Sequence, residues 1–207
     1  GYSAGRYGIH YRDELTNRPP KFSDHPTLVI ASSMGLKDSG ASTTGTYSAT
    51  ATGGNAPTWD TAHAPSAGYM AYLLTGRWYF MEETQFVATA NHFNVTDWVR
   101  GGGRTSAGPL SGYTGASGVC VTAIQTRSAA WWFRSLVQAL DATPDSGDSL
   151  RTDFINSVEA NCNYYSQIYI EQANNPFGYV EAFEDYGPNE ALAPWQQDFI
   201  TGAWGYA

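Results

Sequence analysis

The chain has 207 residues, enough to bury a sizeable core within one domain. Its 19 acidic and 11 basic residues leave a net charge of -8, which argues against nucleic-acid backbones and anionic membranes as main partners. No run of about 18 apolar residues suits a membrane span, and Gly1 to Tyr11 lack the basic start and apolar stretch of a signal peptide.

Residues 1–58 carry Pro19-Pro20, Pro26 and many Gly, Ser and Thr, with no helical periodicity. They predict loops and short strands packed against the helices of the rest of the chain, with a strand over Thr27–Ala31 and a weaker one over Thr44–Ala51. Residues 59–207 read as helical. Pro65 suits the first turn of a helix, where a missing N–H costs nothing, so a helix is expected from Pro65 to Thr75, stopping at Gly76. A second is expected from Arg77 to Asn91, making Leu74-Thr75-Gly76-Arg77 a tight αα turn. A Gly-rich stretch containing Gly101-Gly102-Gly103 and the glycosylation triplet Asn94-Val95-Thr96 comes next.

The third predicted helix, Val119–Ala142, has only Arg127, Arg134 and Asp141 as charged residues, with apolar positions around most of its circumference. Such a helix is buried on nearly all sides. Thr143-Pro144-Asp145-Ser146-Gly147 ends it with breaker chemistry. The fourth, Asp148–Ala173, repeats Leu150, Phe154, Val158, Cys162, Tyr165 and Tyr169 at spacings of three and four, and Asp153, Asn156, Glu159 and Asn163 mark a wet face. A fifth begins near Trp195, after a long loop. A buried helix beside an amphipathic one is what a double ring of helices requires. The expected fold is therefore mainly α: antiparallel αα-hairpins forming a partial (α/α) toroid.

Cys120 and Cys162 stand 25 residues before and 17 after the turn at Asp145. On antiparallel helices that offset is roughly 12 Å along the axis, beyond the roughly 7 Å that a disulfide spans. Two free thiols are expected. The four histidines show no paired metal-ligand spacing, and neither a phosphate-cradling loop nor a nucleophile elbow is present, so no metal or cofactor is expected.

Charged residues are 14% of the chain and aromatic residues another 14%, with 7 Trp and 14 Tyr. That mix suits sugar clefts, where flat rings cover the apolar face of a pyranose, and equally an aromatic-rich core. Arg127, Trp131, Arg134 and Gln138 fall on one stripe of the third helix. Either each arginine pairs with a carboxylate from a neighbouring helix, or the stripe faces a lumen and binds an acidic sugar or orients a catalytic carboxylate. Asp60 can cap the first helix, and His63 beside it is a candidate proton shuttle. Glu82 and Glu83 point in different directions, one of them to solvent. Glu181, Glu184, Asp185 and Tyr186 cluster in the late loop, and Asp198 lies in the last helix. Glycoside hydrolysis needs two flanking carboxyl groups, which Glu184 and Asp185 could supply. A lyase needs a base such as His63 or Tyr186 and a cation to neutralise a uronate, as Arg127 and Arg134 could.

Asp60-Thr61-Ala62-His63-Ala64-Pro65-Ser66, then Tyr69, Tyr72-Leu73-Leu74-Thr75-Gly76, Tyr79 and Glu82, resembles a stretch of large bacterial and phage proteins of the six-hairpin glycosidase-like class. The strings from Arg127 to Leu136 and Trp195-Gln196-Gln197-Asp198-Phe199 are similar to later stretches of that group, so the likeness spans residues 58–201. It implies an (α/α) toroid acting on polysaccharide or oligosaccharide. Six hairpins need more helices than the five read here, so the chain is expected to belong to a longer protein or a partial ring. A lyase or glycoside hydrolase is one expectation; a non-catalytic glycan-binding or structural module of a secreted or virion-surface assembly is the other. Both place the protein outside the cell, in the periplasm or on a virion.

Overall fold

A computed structural model describes residues 10–13, 15–31, 35–38, 61–94, 117–119, 126–180 and 193–207. Among them the protein is mainly helical. Strands β1 (Leu28–Ala31) and β2 (Gly35–Asp38) pair antiparallel, with Leu28 opposite Asp38 and Ala31 opposite Gly35. A 3-10 turn at Thr61–His63 leads to helices α1 (Ala67–Thr75), α2 (Trp78–Asn94), α3 (Thr126–Ala142), α4 (Ser149–Tyr165) and α5 (Pro194–Trp204). The second strand expected at 44–51 lies outside the described residues.

The breakers act where chemistry places them. Gly76 takes the left-handed conformation and its N–H closes α1 onto the Tyr72 carbonyl at 2.7 Å, so α1 and α2 form a tight hairpin. Pro65 stands just before α1 rather than in its first turn, and its carbonyl accepts the Ala67 N–H at 3.0 Å. Asp148 caps α4 by accepting from the Leu150 N–H at 3.0 Å. Arg151 reaches back to the end of α3, donating to the carbonyls of Leu140 and Thr143 and pairing with Asp145 at 2.8 Å. A cation on the last carbonyls of a helix meets its negative end. Pro194 opens α5 from its first turn. Three boundaries differ from expectation. α2 runs three residues further, α3 is helical from Thr126 while Val119 is not, and α4 gives way to a π-helical turn at Ser166–Ile170.

α3 is the hub, packing against α1, α2, α4 and α5. Trp132, Phe133, Leu136 and Ala139 fill the centre with Phe93 of α2, Leu150 and Phe154 of α4, Ile200 of α5, and Phe22 and Ile30 from the N-terminal region. The expectation that α3 is enclosed is met, and α4 keeps a wet face at Asn156, Glu159 and Asn163; Cys162, expected on its apolar stripe, is exposed instead. α2 is as enclosed as α3. Its buried amide nitrogens find acceptors: Gln85 donates to Thr143 Oγ1 at 2.8 Å and Asn91 to Ser135 Oγ at 3.2 Å. Cys162 is a free, exposed thiol whose pKa partial burial pushes up; Cys120 lies outside the described residues.

Polar clamps hold the N-terminal segment on the helices, and two expectations change there. Asp153 does not face water: it is 6% exposed, and its carboxylate accepts the N–H groups of Phe22 at 2.7 Å and Ser23 at 3.1 Å. Burial pushes its pKa up while those bonds pull against the rise. Neither Glu82 nor Glu83 stands alone in solvent. Arg12 grips Glu82 with two 2.9 Å bonds, and Glu83, 5% exposed, meets His10 at 2.7 Å. The Arg12 guanidinium holds the Glu82 carboxyl below its ordinary range. Within the segment, His25 and Asp13 form a buried pair at 2.9 Å.

Candidate functional site

The stripe predicted on α3 turns towards α5. Arg127 lies in the first turn of α3, and its backbone N–H donates to Oε1 of Gln196 at 2.8 Å. Gln197 brackets Val180, accepting its N–H at 2.9 Å and donating to its carbonyl at 2.8 Å, while Thr126 Oγ1 reaches the same carbonyl at 3.4 Å. The start of α3, the start of α5 and the segment ending at Val180 are thus stitched at one place. Further along, Trp131 meets Phe199 edge-to-face at 4.7 Å. The Arg134 guanidinium sits over the Tyr206 ring at 5.1 Å and reaches its hydroxyl at 3.4 Å. Gln138 is buried at the end of the stripe.

Both arginines are half-buried. Among the described residues, neither has a carboxylate within ion-pair distance, whereas Arg12, Arg18 and Arg151 pair with Glu82, Asp148 and Asp145. Arg127 Nε is shielded from solvent without a hydrogen-bond partner. A shielded cationic donor without an acceptor is costly, and an acceptor arriving from outside would relieve it. Of the two roles the sequence left open for these arginines, pairing with a neighbouring helix's carboxylate is therefore not the one seen among the described residues.

The other predicted residues are distributed differently. Asp198, two positions beyond Gln196, is exposed and does not join the stripe. His63 is exposed in a turn that packs on α3, tied to α2 through Thr61 to Asn94 at 2.9 Å and Asn91 to the Ala64 carbonyl at 3.4 Å. Asp60, Glu181, Glu184, Asp185 and Tyr186 lie outside the described residues. The described ends of their late-loop segment, Val180 and Ala193, both lie at the α5 start beside Arg127. Asn94 of the glycosylation triplet has its amide engaged, donating to the Ile30 carbonyl at 3.1 Å and accepting from Thr61.

Sequence reasoning missed Gln196, Gln197 and Tyr206. Glutamines at a helix start carry no signal until their partners, 69 and 17 residues away, are known. Among the described residues, no group of three or more His, Cys, Asp or Glu side chains could hold a metal ion, and no helix is long and apolar enough to cross a membrane. Comparison with protein-family models, with curated proteins and with solved structures found no match.

Proposed function

We propose that this chain holds an acidic polysaccharide on the α3–α5 face of a partial (α/α) toroid, as the substrate-binding part of a lyase or glycoside hydrolase. The observation that carries this reading is the pair Arg127 and Arg134, half-buried, without a carboxylate partner among the described residues, on a chain of net charge -8. A guanidinium's planar fork matches a uronate carboxylate with two parallel bonds. Trp131 between them offers a ring to the apolar face of the same sugar.

The toroid is supported by the packing of α3 on four other helices while α4 keeps one face in water. In a lyase the arginines neutralise the uronate carboxylate and so acidify the adjacent C–H, with Tyr186 or His63 taking the proton. In a hydrolase Glu184 and Asp185 flank the glycosidic bond. A substrate of this kind goes with a location outside the cell, in the periplasm or on a virion.

A panel of uronate-containing and neutral polysaccharides tests the reading, with reducing ends and unsaturated-uronate absorbance followed together. New unsaturated ends identify a lyase, and reducing ends without them a hydrolase. Saturable binding without turnover reduces the role to glycan binding. Absence of both turnover and binding on every acidic glycan would discard it.

A further inference from the structure

The segment between α4 and Val180 contains a turn that neither the helices nor the arginine face explains. Asn175, Pro176, Phe177 and Gly178 form it, closed by the Gly178 N–H on the Asn175 carbonyl at 3.0 Å. The Asn175 side chain locks it from within. Its Nδ2 donates to the carbonyls of Tyr169 at 3.0 Å and Tyr179 at 2.8 Å, and its Oδ1 accepts the Tyr179 N–H at 3.0 Å. Pro176 fixes one backbone angle beside it. On this locked turn stand two rings, Phe177 and Tyr179, with centroids 5.6 Å apart and planes 30° from parallel. Phe177 is 78% exposed and Tyr179 43%.

A phenylalanine left in water on a hydrogen-bonded turn adds nothing to the core, since an exposed ring loses its burial free energy. Its value lies in the flat face it presents. Pyranoses with equatorial hydroxyls carry their axial C–H bonds on two flat apolar faces, which such a ring covers while the sugar hydroxyls stay wet. Loops that order few atoms on binding lose little entropy. The turn leads directly into Val180, which Gln197 brackets, so it adjoins the arginine face. Trp195, 53% exposed, stands two residues before Gln197.

We infer that Phe177 and Tyr179 form a second subsite, a stacking platform for a pyranose ring of the glycan whose charged sugar the arginines hold. This deepens the proposed function and rests on it for the identity of the charged sugar, but not for the stacking itself. The platform recognises a ring and not a charge. It therefore takes neutral β-1,4-linked sugars and uronates alike, through contacts that salt does not screen.

The test uses the 207-residue chain and two probes, a neutral β-1,4-linked glucose hexamer and a β-1,4-linked mannuronate hexamer, titrated at low and high salt. The wild type is expected to bind the neutral hexamer with an affinity indifferent to salt. Phe177→Leu, which keeps apolar bulk without a flat ring, should weaken it roughly tenfold, and Phe177→Trp should restore it. At this exposure neither change threatens the fold, which circular dichroism checks. No binding of the neutral hexamer, or equal binding by wild type and Phe177→Leu, overturns the platform. If the acidic hexamer still depends on Arg127 and Arg134 in that case, the arginine face stands without it. If the neutral hexamer depends on Phe177 while Arg127→Ala with Arg134→Ala leaves the acidic one unaffected, the platform stands and the arginine face falls. A dimer of the wild type lost in Phe177→Leu, seen by sedimentation without sugar, would make the turn a protein contact and also overturn the platform.

Discussion

Gln196 of α5 accepts the backbone N–H of Arg127 at 2.8 Å, and this bond links the start of α3 directly to the start of α5. The first N–H groups of a helix have no partner within it, so one that is met from a buried side chain is held in place. Gln196 is 3% exposed, which leaves no water to substitute for it. Replacing Gln196 by Leu should cost about 1–3 kcal/mol and weaken any acidic glycan, because the residue carrying the first guanidinium loses its anchor. Thermal melts and a titration of the same variant check the two effects together.

Gly118 sits at a crowded crossing in the core, between Phe22 and Ser157. A Cβ there would stand 2.5 Å from Ser157 Oγ and 2.9 Å from a Phe22 ring carbon, at a φ of +68°. Its carbonyl accepts both Ser157 Oγ at 2.8 Å and Asn161 Nδ2 at 2.9 Å, so the backbone is not able to withdraw cheaply. Gly118→Ala is expected to destabilise by about 2–4 kcal/mol, from crowding and the left-handed conformation together. A midpoint of urea unfolding equal to that of the wild type would refute this.

Asp153→Ala strips acceptors from the N–H groups of Phe22 and Ser23, which lie 131 and 130 residues away in sequence. Stranding those donors should cost about 1–3 kcal/mol and loosen the segment around residue 22. Amide hydrogen exchange at Phe22 and Ser23 measures that loosening. The pKa of Asp153 is raised by burial. The electrostatic benefit of protonating it in the fold is therefore present in acid and lost as pH rises through the raised value.

The pair Arg12–Glu82 has the opposite sign. Its carboxyl is held below its ordinary value by the guanidinium, so its contribution is present above that value and disappears as pH falls through the folded one. Both partners keep contact with water, which limits the effect to about 1 kcal/mol. Glu82→Gln should lower stability at neutral pH by about that amount and leave acid little changed, so that the acid limb of its stability-against-pH curve is flatter. Two curves that superimpose at neutral pH as well as in acid would be the contrary result.

Tyr69 donates to Asp141 at 2.7 Å, and its pKa is pushed up to about 12 by desolvation first and by that carboxylate second. Its phenolate should appear in ultraviolet titration well after that of an ordinary tyrosine, and Asp141→Asn should bring it down. Stability linked to this group is present below the ordinary tyrosine value and lost as pH climbs towards 12.

How far the sequence foretold this arrangement varies with the range of the interaction. Gly76 and the breaker run from Thr143 to Gly147 act on neighbouring backbone, and they marked the helix ends well. The enclosure of α3 was legible because Trp132, Phe133, Leu136 and Ala139 leave it hardly any polar circumference. Asp153 was misread because a carboxylate on an amphipathic helix looks solvated until a distant segment folds over it. β2 carried no local signal, since Gly35–Asp38 becomes a strand only by pairing with β1. The stripe on α3 was seen, but the side it faces depends on α5, whose glutamines bond across 17 and 69 residues.

Binding of the mannuronate hexamer to the wild type and to Arg127→Ala with Arg134→Ala, measured by calorimetry across a range of salt, bears most directly on the α3–α5 face. Two guanidiniums meeting carboxylates predict an affinity that falls with added salt, and a loss of roughly a hundredfold in the double variant. Equal affinity of the two proteins, or an acidic hexamer that neither binds, would contradict it.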